Sequence, residues 1–252
     1  MDQSLIRYLE DNSLNILRDA LPEARSSSGT SLQGVSDADL QVALYTVLLK
    51  IIDTLRERTA IPTSAGRDAR SLYLDNARDL MAFIDGQSAY TTGHTAAVAN
   101  HVVRMASSMG LTDAEIDDLE YAAWIHNIGL INQSHKLSVL PRALSQEELK
   151  QARNHTVVGA EMIRPIEFLS HLVPTVLYHH HRFDGGNAPG DPKGEALPLG
   201  ARIIAVADAY QAMVEPRAYR SAFERTEAIN EIVKGAGTQF DPQLVPYAHD
   251  LS

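Results

Sequence analysis

Five histidines and one aspartate fall on the apolar faces of successive helix-like segments, and this placement constrains the fold more than any other feature of the chain. On the segment opened by Thr112, residues Leu119, Ala122, Ala123 and His126 share one face. His94 is in register with Val98, His101 and Met105, and His155 with Ala152, Gly159 and Met162. Val176 lies three and four residues before the adjacent pair His179 and His180, and Asp208 follows Ile204 and Ala205 at the same spacing. All six groups therefore point inward. A lone histidine on an apolar face is usually a hydrogen-bonded core residue. Six such groups would each need a separate buried partner, whereas a shared metal satisfies them together. Imidazole is the commonest metal ligand and binds in the neutral form that burial favours. His101, His135, His171 and His249 lack this company and read as background, while His181 either extends the pair or faces outward.

Strand signals are sparse and helix starts frequent. The apolar spacing predicts helices near 3–21, 37–58, 68–85, 91–109, 113–128, 146–164, 172–182, 198–214 and 225–234. Ser36-x-x-Asp39, Thr112-x-x-Glu115 and Ser145-x-x-Glu148 read as capping boxes, and Gly129 as a helix stop. The class expected is all-α, a helical bundle with an N-terminal two-helix extension. Ser/Gly-rich residues Arg25 to Gly34 and the stretch Ile61 to Gly66 with Pro62 break the chain. They divide it into an extension over residues 1–66 and a main domain over 67–252. Within the extension Leu40, Leu44, Val47, Ile51 and Leu55 form a continuous apolar stripe. That stripe packs on the chain itself or serves homodimerisation or sensory input.

A net charge of -10 argues against broad electrostatic binding to nucleic-acid polymers or anionic membranes. A small phosphate ligand remains compatible, because a local basic cluster or a metal overrides the global field. The chain has no cysteine, which removes disulfides, thiolate ligands and thiol catalysis together. Asp2, Arg7, Glu10 and Asp11 interrupt any signal-peptide pattern, and the run Val42 to Ile52 is too short to span a bilayer. A cytoplasmic location is expected.

The motifs then become specific. Y-T-T-G-H-T-A-A-V-A at 90–99, W-I-H-N-I-G-L at 124–130 and R-N-H-T-V-V-G-A at 153–160 occur in that order. They are followed by Y-H-H-H-R-F-D-G-G-N-A-P at 178–189, A-R-I-I-A-V-A-D-A-Y-Q-A-M at 201–213, R-A-Y-R at 217–220 and G-T-Q-F-D-P-Q-L-V at 237–245. From about residue 85 to 248 the chain resembles the HD-GYP family, a branch of the HD metal-dependent phosphohydrolases that cleave cyclic di-GMP. The resemblance implies an HD-type helical bundle with a metal site built from His94, His126 and Asp208 on one side. His155, His179 and His180 would form the other side. It implies a divalent transition metal, iron or manganese before zinc, and Arg217 and Arg220 as residues that hold the substrate. Guanidinium groups suit that role, being permanently charged and able to grip phosphate oxygens at two points.

The departures fall on catalysis rather than fold. Asn127 occupies the place of the family's bridging aspartate and offers a neutral amide where a carboxylate would offset metal charge. Leu130 replaces a lysine, Asn187-Ala188-Pro189 replaces Gly-Tyr-Pro, His181 stands where glutamate is usual, and Gln211 where an acid often follows Asp208. The reading that follows is a regulatory domain of cyclic di-GMP signalling that retains metal ligands and affinity for this or a related phosphate. Its phosphodiesterase activity is expected to be weak or absent. The alternatives are an active metal-dependent phosphodiesterase and a protein-interaction scaffold with a vestigial metal site.

Overall fold

The computed structural model describes residues 66–86, 91–132, 142, 144–185, 188–217 and 220–251. The expected extension, with its apolar stripe, the Ser36 capping box and the homodimer read from it, lies outside the described residues but for Gly66. His135 and Asn187 lie outside them as well.

Eight α-helices follow in order among the described residues: α1 Gly66–Asp85, α2 His94–Ser108, α3 Asp113–Ile125, α4 Gln146–Arg153, α5 His155–Ile163, α6 Val173–Tyr178, α7 Leu199–Val214 and α8 Arg225–Lys234. Short 3-10 turns at Ile128–Asn132, Glu167–Leu172, Gly194–Ala196 and Val245–Leu251 join or close them. No strand forms among the described residues; two isolated bridges, Arg217 to Arg220 and Ala236 to Phe240, are the nearest approach. The all-α expectation matches the described residues. No described helix is long and apolar enough to cross a membrane.

Two of the expected capping boxes are present. Thr112 and Ser145 each accept from the amide three residues on, while Glu115 and Glu148 reach back to the cap amides. A third box, Glu224 with Glu227, opens α8 and uses an acid in place of the usual hydroxyl. The single helix expected over 146–164 is two helices. Asn154 ends α4 by turning its amide onto the Gln151 carbonyl, a tightened last turn that redirects the chain before His155.

The core lies where α2 packs on α3 and α7. Val98, Val102, Met105, Ala122, Ile125, Ile203, Ile204, Val206 and Ala207 are its buried centre. Removing each of the larger side chains from water stabilises the fold by roughly 1.5–3 kcal/mol. Two local devices then place histidines at its edge. Gly93 takes a left-handed φ of 79° at the N-cap of α2, a conformation that favours glycine, and the helix begins on His94. Because Gly93 lends no side chain to the cap, buried Asp85 does so from the end of α1. Its carboxylate accepts from the Thr95 amide at 2.7 Å and the Thr95 hydroxyl at 3.1 Å.

Candidate metal centre

Three of the histidines share one local arrangement. His126 Nδ1 meets the Ala123 carbonyl at 2.6 Å, His155 Nδ1 meets that of Ala152 at 2.6 Å, and His179 Nδ1 meets that of Val176 at 2.8 Å. A carbonyl only accepts, so each ring carries its proton on Nδ1 and leaves Nε2 with a bare lone pair. The i−3 spacing follows from the end of a helical turn, where carbonyls are otherwise without partners.

The bare nitrogens converge. His155 Nε2 and His179 Nε2 face each other at 3.4 Å, two acceptors with no proton between them. The buried Nε2 of His126 has no hydrogen-bond partner among the described residues. His126 and His179 set their rings edge to face with centroids 5.0 Å apart, and the His180 ring lies tilted by 45° with its centroid 4.1 Å from that of His179. Within His155, His179 and His180 the potential ligand atoms lie within 4.8 Å of one another, and the same holds for His94, His126 and Asp208. A cation resolves what hydrogen bonding leaves open here, since facing lone pairs repel unless something positive sits between them. A metal-holding histidine typically donates its other ring proton to a carbonyl or carboxylate, as these do. The residues present fit a metal.

The two groups touch through Asp208. His94 Nε2 is 2.9 Å from Asp208 Oδ1, and His180 Nδ1 is 3.8 Å from Oδ2 of the same carboxylate. Burial holds the imidazoles of His155 and His179 below their ordinary range and pushes His126 down to about 4. All three are therefore neutral, as metal binding requires. His94 differs. Burial opposes its charge, yet hydrogen bonds to Asp208 and Glu215 outweigh burial and raise it to about 10. Asp208 is held well below the carboxylate range because His94 outweighs the burial that would raise it.

Asn127 is buried next to His126, at the start of a turn in which its carbonyl accepts from the Leu130 amide at 2.9 Å. Leu130 packs against the hydrophobic core. Arg217 lies 3.4 Å from Glu215 Oε2. The Nη atoms of Arg220 donate to the carbonyls of Ala212, Met213, Glu215 and Ser221, closing the C-terminus of α7. His181 joins neither group and pairs with Asp191 at 2.9 Å.

Glu215 was not singled out by the sequence, yet its Oε2 stands 2.9 Å from His94 Nδ1. The signal was present: Gln211 falls one turn after Asp208 on α7, and Glu215, the residue that caps the helix, follows at the next i+4 step. His101, read as background, reaches the same network through Gln211 Oε1 at 3.0 Å.

Comparison with known proteins gives the family. The HD domain family model matches residues 80–244. A cyclic di-GMP phosphodiesterase of Vibrio cholerae is 29% identical over 241 residues, covering 85% of this chain and 48% of that protein. A cyclic di-GMP phosphodiesterase response regulator of Xanthomonas campestris is 32% identical over 162 residues, covering 62% of this chain and 43% of that protein. The chain thus spans about half the length of these curated relatives. Among solved structures, an HDG"Y"P protein of Bdellovibrio bacteriovorus superposes with a TM-score of 0.56 at 15% identity, over 96% of this chain and 80% of that one. A cyclic GMP-AMP specific phosphodiesterase of Vibrio cholerae gives 0.55 at 18% identity, over 71% of this chain and 48% of its own. At such identities these two speak for the fold alone. With the family model spanning every residue of both histidine groups, the chain belongs to the HD domain family.

Proposed function

We propose that this chain is an HD-GYP domain of cyclic di-GMP signalling that binds a divalent transition metal and the nucleotide but turns it over weakly or not at all. The observation that carries the reading is the pairing of two intact ligand groups with a neutral Asn127 in the place of the bridging carboxylate. His94, His126 and Asp208 hold one side and His155, His179 and His180 the other. The mixed nitrogen and carboxylate donors suit iron or manganese, and the three-histidine group also suits zinc.

When bound, the metal supplies Lewis acidity toward a phosphodiester oxygen. The chain's own residues orient the ligand around it. Arg217, already at the mouth of the Glu215 network, is the residue on which a phosphate contact rests; Arg220 contributes by fixing the turn that presents it. Buried Asn127 adds no negative charge, and Leu130 adds no cation. Losing both is expected to raise the barrier by several kcal/mol.

The test is equilibrium binding of cyclic di-GMP to the manganese-loaded chain, with cyclic GMP-AMP as comparator and metal content measured on the same sample. Stoichiometric metal with nucleotide binding supports the reading. A chain that takes up no metal after supplementation overturns it. An active phosphodiesterase is the second reading, favoured by the activity named for the curated relatives. Association of two chains through residues 1–66 belongs to the proposal too. Truncation of that extension should then give a monomer by light scattering, and a full-length chain that is already monomeric contradicts it.

A further inference from the structure

Asp208, His94 and Glu215 stand in line, with the imidazole between two carboxylates. His94 Nε2 lies 2.9 Å from Asp208 Oδ1 and Nδ1 lies 2.9 Å from Glu215 Oε2. Glu215 is itself fixed from further out. Gln211 Nε2 donates to Glu215 Oε1 at 2.8 Å, and His101 Nε2 donates to Gln211 Oε1 at 3.0 Å. Only 14% of the Glu215 side chain is exposed. The backbone makes this orientation durable. Pro216 cannot continue α7, and the residue before a proline prefers extended backbone. Glu215 adopts it, at φ -90° and ψ 144°.

We propose that Glu215 is a positioning residue for the metal centre, acting through His94 and held by the relay from His101 through Gln211. The inference rests on the metal-binding reading given above. His126, His155 and His179 have their Nδ1 protons fixed by helix carbonyls, but at His94 the carbonyl three residues back, Thr91, takes the backbone amide at 2.9 Å and Nδ1 meets Glu215 instead. Glu215 takes that place. It holds the proton on Nδ1, so that the nitrogen freed for a metal, once the proton shared with Asp208 Oδ1 is lost, is Nε2, on the side of His126 and Asp208. A carboxylate in this position also makes the imidazole a stronger donor than a carbonyl does. It brings negative charge to the half of the centre where Asn127 supplies none.

The experiment is a zinc titration of the full chain labelled with 15N in its histidine rings, following the His94 and His126 resonances separately from those of His155 and His179. In the wild type, His94 is expected to retain the Nδ1 proton and place zinc on Nε2. Glu215→Gln, which keeps an acceptor but removes the charge, is expected to weaken zinc at the His94 group about tenfold. Glu215→Ala is expected to weaken it about 100-fold and to mix the His94 tautomers. Gln211→Ala should move the same resonances in the same direction by less. Affinity at His155 and His179 should stay unchanged throughout. Equal affinity and an unchanged His94 tautomer in Glu215→Ala overturn this inference alone. A loss striking both groups equally marks a structural role and overturns it as well. A wild-type chain that takes no zinc at either group overturns the metal reading itself.

Discussion

Gly129 lies so close to His155 that a β-carbon on it would stand 2.1 Å from the His155 carbonyl oxygen. The same atom would sit 2.6 Å from the Gly159 amide, so the turn after His126 packs backbone to backbone on the start of α5. This contact joins the turn after His126 to the helix that begins on His155. Gly129→Ala is therefore expected to destabilise the fold by about 3 kcal/mol, as overpacking of backbone does. It should also loosen metal binding at both groups. Thermal denaturation paired with metal titration checks this, and a variant with unchanged midpoint would show that the turn yields freely.

Arg202 and Asp241 form an ion pair that fixes the C-terminal segment to α7, with the Asp241 side chain wholly buried. Asp241 also accepts from the Gln243 amide at 2.9 Å. This aspartate belongs to the F-D-P motif, yet its work is structural. Asp241→Ala leaves a guanidinium without its partner and should cost about 3–5 kcal/mol. Chemical denaturation measures the loss; a shift under about 1 kcal/mol would contradict the account, being the scale of an exposed pair.

With chelator present, stability should peak near pH 6.5. Burial lowers His126 to about 4 from an unfolded value near 6.5. The unfolded chain then binds more protons between those values, and stability falls as pH drops through them, by about 3 kcal/mol for this group. His94 works in the other direction, because Asp208 and Glu215 overcome burial and raise it to about 10. Its contribution is complete below pH 6.5 and is lost as pH rises toward 10. Thermal midpoints across pH 4 to 10 test both arms. Glu215→Gln should flatten the alkaline arm and leave the acid arm in place.

Much of this was legible in the sequence, because periodicity reports which face a residue occupies. His126, Asp208 and the pair His179 and His180 could be assigned inward positions from their apolar neighbours at three and four residues. The break at Asn154 could not, since apolar spacing runs through it and the stop is a local amide turning onto Gln151. Gly129 read as a helix stop, whereas its lack of a side chain serves a contact with α5 that only tertiary packing creates. Glu215 escaped notice for a similar reason. It sits beyond the last helical residue before a proline, where acids are common on the surface, and only the approach of α2 gives it a buried histidine.

On the proposed reading the ligand groups survive while Asn127 and Leu130 withhold charge that hydrolysis needs. Initial rates of cyclic di-GMP hydrolysis, measured with manganese-loaded and iron-loaded chain, test it most directly beside Asn127→Asp, Leu130→Lys and the double variant. Near-background turnover is expected for the wild type, and a roughly tenfold or greater gain in the double variant, exceeding either single change. Asn127→Ala should differ little from wild type. A wild type that turns over readily and loses that activity in Asn127→Ala would overturn this reading, because the amide would then be a working part of the centre.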